Sequence, residues 1–263
     1  MGGSAVTHGD ELLAARRVVV KVGSSSVSGE NAGQIPELVA SLAQLHAAGA
    51  QVILVSSGAI ATGVPFLHLE ERPDDLATQQ AAAAVGQNIL VNRYQRALTT
   101  HEIIAGQVLL TAHDIENPTH RDNARRAIER LLQLGILPII NENDTVATHE
   151  IRFGDNDRLA ALVARLVDAD RLVLLSDVDA LYTAPPAMAG AERISEVAYG
   201  DPLAGIEIGE SQSGWGTGGA ATKVQAARLA ADAGATVLLT ETRLLAAVLG
   251  GSDHGTRFAA RPA

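Results

Sequence analysis

Six short aliphatic runs recur along the chain, and they restrict its fold more than any other feature of the sequence. They are RVVVKV (Arg17 to Val22), QVILVS (Gln51 to Ser56), AGQVLL (Ala105 to Leu110), GILPII (Gly135 to Ile140), RLVLLS (Arg171 to Ser176) and ATVLLT (Ala235 to Thr240). Their hydrophobicity is continuous rather than alternating, which predicts strands covered on both faces. Helical stripes lie between them, such as Ile35, Leu38, Val39, Leu42, Leu45 and Leu159, Leu162, Val163, Leu166, Val167. Three of the intervening segments end alike, in HAAGA, LLQLGI and ADAGAT. There Gly49, Gly135 and Gly234 can take the left-handed conformation that closes a helix. This repeated strand and helix punctuation predicts an α/β fold with an open, mainly parallel sheet flanked by helices.

Composition narrows the function. Hydrophobic residues make up 47% of the 263 and charged ones 19%, a globular balance, while aromatics are only 3%. There is no cysteine, which excludes disulfides, thiolate metal sites and a cysteine nucleophile. A formal net charge of −10 argues against a nucleic-acid binder, so any phosphate site must be local. No apolar run is long enough for a membrane span, and the opening MGGSAVTHGDELLAARR lacks a secretory pattern. The expectation is a cytoplasmic protein with no membrane partner, its residues 1–16 a flexible extension and 17–263 a single domain. The stretch from Thr183 to Gly219 reads as its one long irregular region.

In open α/β sheets, ligands bind beyond the carboxyl ends of the strands. The exits there are polar: KVGSSS after the first run, SSGAIATG after the second, NENDTVAT after the fourth and SDVDALYT after the fifth. Lys21 followed by Gly23 and three serines can form an anion site, but on this segment alone an ordinary turn with a snorkelling lysine is the favoured reading; the spacing is not that of a Walker loop. SGWGTGGAATK (Ser213 to Lys223) has four glycines ahead of a helix that carries Lys223 near its start. That context favours phosphate over a plain solvent loop. Trp215 within it suits a lid or simple packing. NEND (Asn141 to Asp144) and GDND (Gly154 to Asp157) bracket a segment, Val146 to Phe153, that can form a hairpin. Their carboxylates suit a substrate ammonium, a metal, or the two lysines, and caps and turns are the plain alternative. The eight histidines show no metal spacing, and no Ser, His and Asp set suits a hydrolase. Two distant lysines, a glycine-rich helix start and carboxylates to hold them are the parts of phosphoryl transfer.

The stretches VVVKVGSSS, ILVSSGAIATG, AAVGQ, GQVLLT, INENDTVAT, FGDNDRLAA, LLSDVDALYT and GTGGAATKVQAA, in this order, closely resemble the glutamate 5-kinase branch of the amino acid kinase family, from Arg17 to Phe258. The resemblance implies a three-layer αβα sandwich, with glutamate bound by the half 17–165 and nucleotide by the half 166–263. It also implies ATP-dependent phosphorylation of the glutamate side-chain carboxylate, the first step toward proline. Lys21, Lys223 and Asp157 would be catalytic, the lysines stabilising the transferring group and Asp157 organising them. Ser57, Gly58, Asn141, Asp144 and Asn156 would meet glutamate, and Asp155 would cap the helix. Lys21, Ser176, Asp177, Thr217, Gly218, Gly219, Ala220, Ala221, Thr222 and Lys223 would meet ATP, with Mg²⁺ carried mainly by its phosphates rather than by a protein metal site. Feedback by L-proline and a homo-oligomer, dimer or tetramer, are further implications. Departures are Ala220, where the family often has Met, Pro185, where Asp is common, and the expected short form without the C-terminal domain of many members. The alternatives are a sibling kinase acting on N-acetylglutamate, aspartate or UMP, or a non-catalytic binding protein on the same fold.

Overall fold

The computed structural model describes residues 6–69, 71, 73–147, 156–184, 188, 190–204 and 219–262. Ten strands and ten α-helices alternate among them. In chain order they are α1 (His8–Leu13), β1 (Arg17–Val22), α2 (Ser24–Val27), α3 (Ile35–Ala47), β2 (Gln51–Val55), α4 (Ala59–Gly63), α5 (Leu76–Thr99), β3 (Ala105–Leu110), α6 (Ala112–Glu116) and α7 (Pro118–Gln133). Then follow β4 (Leu137–Glu142), α8 (Asn156–Leu166), β5 (Arg171–Ser176), β6 (Leu181–Tyr182), β7 (Arg193–Ile194), β8 (Glu196–Val197), α9 (Ala220–Asp232), β9 (Thr236–Glu241), α10 (Leu245–Leu249) and β10 (Thr256–Phe258). All six apolar runs become strands, and Gly49, Gly135 and Gly234 have φ of +96°, +71° and +95° at the helix ends.

Eight strands form one sheet in the order β3-β4-β2-β1-β5-β9-β10-β8. It is parallel except where β10 runs against β9. The continuous hydrophobicity has its expected cause, since the sheet is covered twice. Along β1, Val18, Val20 and Val22 join a core with Leu38 and Leu42 of α3, Leu90 and Tyr94 of α5 and Val248 of α10. Val19 joins the opposite core, with Ile128 of α7, Leu159 and Val163 of α8 and Val224 and Ala227 of α9. Each fully buried aliphatic chain contributes about 1.5–3 kcal/mol. The result is a three-layer αβα sandwich. β3 departs from the pattern, because an edge strand is only part-covered.

Of the expected extension 1–16, residues 6–16 are described, and within them α1 is a capped helix with Thr7 and Asp10 forming a capping box. Leu12 is buried, and Glu11 pairs with Arg171 at 3.8 Å and Arg257 at 3.3 Å. Within the expected irregular region Thr183 to Gly219, the described residues include two short strands. β7 pairs with β6, and β8 joins the main sheet beside β10. Strands of two or three residues give no periodicity to read.

One close contact sets the position of α4. A Cβ on Gly63 would lie 1.9 Å from the Ala82 carbonyl oxygen, and one on Gly86 would lie 1.8 Å from that of Ala59. The two glycines let α4 press against α5, and α4 begins immediately after Gly58 on the ligand-binding rim.

Candidate active site

Lys21 is the fifth residue of the central strand β1, level with Val55 of β2 and Leu174 of β5. Its ammonium group, at the carboxyl-terminal rim of the sheet, contacts Asp157 Oδ1. Lys223 comes from the first turn of α9 and donates to Asp157 Oδ2 at 3.2 Å. Asp157 itself lies in the first turn of α8 and is 0% exposed, with Lys21 at 5% and Lys223 at 8%. Three charges from separate parts of the chain therefore meet in a buried cluster of net charge +1.

Burial pushes the Asp157 carboxyl up, and the two ammonium groups, Lys21 ahead of Lys223, more than offset it. The carboxylate is held below its ordinary value of 3.8. The helix N-terminus around it also favours negative charge. Both its oxygens face lysines.

Next to this cluster is a patch of amides. Asn156 Nδ2 donates to Ser57 Oγ at 2.7 Å, to the Ser56 carbonyl at 3.1 Å and to Asn141 Oδ1 at 3.1 Å. Its Oδ1 is buried and has no hydrogen-bond partner among the described residues. Such an acceptor takes its hydrogen bond from a donor outside the described residues, a ligand or a water. Gly58 follows Ser57 with φ +91°, and a Cβ there would come 3.3 Å from the Ser24 backbone. Left-handed geometry and close packing together require glycine at this turn. Asp144 is buried beyond the end of β4.

On the other side of Lys21 the exits of β5 and β9 converge. Ser176 Oγ donates to Asp177 Oδ1 at 2.9 Å, with Ser176 buried and Asp177 exposed. Thr242 Oγ1 lies 2.9 Å from Ser26 Oγ in α2 and 3.3 Å from the Ser176 carbonyl. The loop after Lys21 is thus tied to the segment that carries Ser176. Gly219 caps α9, where Thr222 Oγ1 donates back to its carbonyl at 2.9 Å; Ala220 and Ala221 share the same first turn.

The structure brings together Lys21, Asp157 and Lys223, and separately Ser57, Asn141 and Asn156. Thr217, Gly218, Asp155, Trp215, Pro185 and most of the Val146 to Phe153 segment lie outside the described residues. Sequence reading did not single out Gln87, whose side chain meets Asn141, nor Tyr94, whose hydroxyl is 2.9 Å from Ser56 Oγ. Gln87 stood in plain view within AAVGQ, as an amide on the buried face of an alanine-rich helix. Tyr94 carried no such signal. Among the described residues no helix is long and apolar enough to cross a membrane.

The geometry is matched by kinship. The model of the amino acid kinase family matches residues 16–240. The chain is 68% identical to a glutamate 5-kinase of Clavibacter sepedonicus over 95% of its own length and 96% of that relative's. It is 69% identical to one of Leifsonia xyli subsp. xyli, covering 95% and 93% of the two chains. A glutamate 5-kinase of Salinispora arenicola is 54% identical over 96% of this chain but only 70% of its own. Among solved structures, carbamate kinase from Giardia lamblia bound to AMP-PNP superposes with a TM-score of 0.68 at 17% identity, over 95% of this chain and 100% of that one, a likeness of fold. On its sheet order, on the cluster of Lys21, Asp157 and Lys223, and on these matches, the chain belongs to the amino acid kinase family.

Proposed function

We propose that the protein is a glutamate 5-kinase, transferring the γ-phosphoryl group of ATP to the side-chain carboxylate of L-glutamate to give L-glutamyl 5-phosphate. The observation that carries the reading is the pair of buried lysines on one carboxylate, with Asn156, the neighbour of that carboxylate, reaching into the Ser57 and Asn141 patch.

The chemistry asks little of the protein beyond placement and charge. The glutamate side chain, with an ordinary pKa of about 4.3, is already ionised at neutral pH and attacks without a general base. One of its oxygens forms the new bond to phosphorus as the bond to the ADP oxygen breaks, and ADP leaves with that electron pair. Charge spreads over the equatorial oxygens of the phosphoryl group in between. Lys21 and Lys223 supply fixed positive charge there, and Asp157 keeps both ammonium groups in place while nothing is bound. Asn156 Oδ1 and the carboxylate of Asp144 suit the substrate ammonium.

Ser176, Asp177 and the segment Thr217 to Lys223 are assigned to the nucleotide. Mg²⁺ belongs to this proposal as the ion carried on the ATP phosphates, where it neutralises charge. Asp157, occupied by both lysines, is not offered to it. L-proline as a competing ligand and a homo-oligomer, dimer or tetramer, complete the reading, as does a cytoplasmic location.

The test is ADP formation with Mg-ATP and a panel of acceptors. Glutamate-dependent turnover is expected. Turnover with N-acetylglutamate, aspartate or UMP instead would assign the chain to a sibling activity, and none with any acceptor would make it a binding protein. Proline that fails to weaken glutamate binding removes the feedback part alone.

A further inference from the structure

We propose that Thr256 is a positioning residue for the nucleotide, its hydroxyl setting the course of the chain that follows Ser176 and Asp177. The inference rests on the assignment of those two residues to ATP in the reading above. It adds a residue near the far end of the sequence on which that binding depends.

The register of the sheet gives the place. Thr256 of β10 stands opposite Leu239 of β9, Leu239 beside Leu174 of β5, and Leu174 beside Lys21 of β1. Residues paired across a sheet share a face, so Thr256 and Lys21 point to the same side. Three strand spacings, about 14 Å, separate them. Phe258, two residues beyond Thr256 on the same strand, agrees: it joins the core that holds Val224 and Ala227 of α9, the helix that carries Lys223. Thr256 is therefore level with the lysines and on their side of the sheet, within the half assigned to nucleotide.

The hydroxyl has two fixed partners. Thr256 is 0% exposed. The Leu181 N–H donates to its Oγ1 at 2.8 Å, and Oγ1 donates to the Ile194 carbonyl at 2.6 Å. A backbone N–H can only donate and a carbonyl can only accept, so both roles of the hydroxyl are settled and both are used. Leu181 and Ile194 are partners in the β6 and β7 ribbon, a sheet separate from the main one. One side chain of the main sheet thus fastens both strands of the ribbon. β7 has further ties, since Arg193 donates to the Asp253 carbonyl at 2.7 Å and the Ser195 carbonyl accepts from the Arg257 N–H at 2.8 Å. For β6, the bond to Thr256 is the one hydrogen bond to the main sheet among the described residues.

The position of β6 matters because of what precedes it. Only the segment from Asp177 to Ala180 lies between the end of β5 and Leu181. At one end Ser176 is paired with Glu241 of β9; at the other Leu181 is held by Thr256. Tyr182 also reaches back, its hydroxyl donating to Asp179 Oδ2 at 3.0 Å. A short segment pinned at both ends presents Asp177 in one place, whereas a segment freed at one end must be ordered by the ligand, at the expense of affinity. Leu181 is buried in the apolar core as well, but such contacts are non-directional and leave its level along the rim to the hydrogen bond.

Valine has the shape of threonine and neither hydrogen-bonding role. In its place the Leu181 N–H and the Ile194 carbonyl lose the partner they share, and β6 shifts to find others. Serine keeps both roles.

The experiment is steady-state kinetics of the full chain, with Mg-ATP binding measured by calorimetry in the absence of acceptor. Thr256→Val should raise the ATP KM and Kd about fivefold or more, while the glutamate KM stays within about twofold of wild type. Thr256→Ser should keep both ATP constants within about twofold. A role in folding alone would lower the melting temperature of Thr256→Val and leave the ATP constants of the folded protein unchanged, which would overturn the proposal. ATP and glutamate KM rising together would overturn it too, as would a Thr256→Ser protein no better than Thr256→Val. If Thr256→Val yields no folded protein, Thr256→Ala takes its place under the same criteria. Wild-type protein that binds no ATP would instead overturn the functional reading, and this inference with it; a wild type that binds ATP confines any failure to Thr256.

Discussion

Lys21 and Lys223 lie 202 positions apart and bind opposite oxygens of a single buried carboxylate. Two like charges held this near each other in a protein interior repel strongly, and Asp157 is what makes the arrangement tolerable. The same proximity is useful once an anionic phosphoryl group lies between nucleotide and acceptor.

Replacing Lys223 by Ala should therefore reduce kcat by at least about 10²–10³-fold, because a cation fixed at the developing charge is lost. Glutamate affinity, measured by calorimetry, should stay within about threefold of wild type, since the amide patch is untouched. An unchanged turnover rate would remove Lys223 from the mechanism.

Asp157 also makes stability depend on pH in a specific window. Its folded pKa is lowered below 3.8, so the unfolded state binds the proton more readily. The stabilisation is complete well above that value, declines as pH falls through it, and is gone below the depressed folded pKa. Denaturant titrations between about pH 3 and 6 should show a steep acid limb in wild type and a shallower one in Asp157→Asn. Near neutral pH the same variant should be less stable by about 3–5 kcal/mol, the usual result of leaving buried charge without its partner.

Gly86→Ala should destabilise by about 1–3 kcal/mol or more, because the added carbon lands on a carbonyl of the facing helix and not on a side chain that can swing away. Thermal melts would report it. Since α4 starts at Gly58, folded Gly86→Ala should also bind glutamate less tightly; a variant that melts early but binds normally would separate the helix contact from the rim.

Thr242→Val should lower stability by about 1–2 kcal/mol, through the lost link between Ser26 and the Ser176 carbonyl, both at buried residues. Thr242→Ser retains the hydroxyl and should recover most of the loss in urea unfolding.

The layers of the fold were readable because each central strand satisfies both faces with the same aliphatic residues, so Val18 and Val19 need opposite helices although neither shows it alone. The β10-β8 end of the sheet was not readable. β8 and β10 hold two and three residues, and whether such a piece pairs depends on what it meets after the chain has folded. A similar limit applied to α1. Its capping box was present in Thr7 and Asp10, but the reason the helix stays down is Glu11 meeting Arg171 and Arg257, one far along the chain and one near its end.

At the site, the charged residues were legible because Lys21, Lys223 and Asp157 stand at strand and helix ends within dense polar exits, although each taken alone also suited a turn or a cap. The amides were harder. Asn141 and Asn156 belong to dense polar clusters that announce themselves, whereas Gln87 is one polar residue in a helix of alanines. Its meaning emerges only from its contact with Asn141.

The Glu11 clasp has an architectural corollary. Arg171 opens β5 and Arg257 belongs to β10, while Arg261 donates its N–H to the Ala231 carbonyl near the close of α9. First helix and final strand are consequently stitched to the opening of β5. The helix that opens the described chain and the strand near its close are thereby made to hold as one unit, so loosening either should loosen the other.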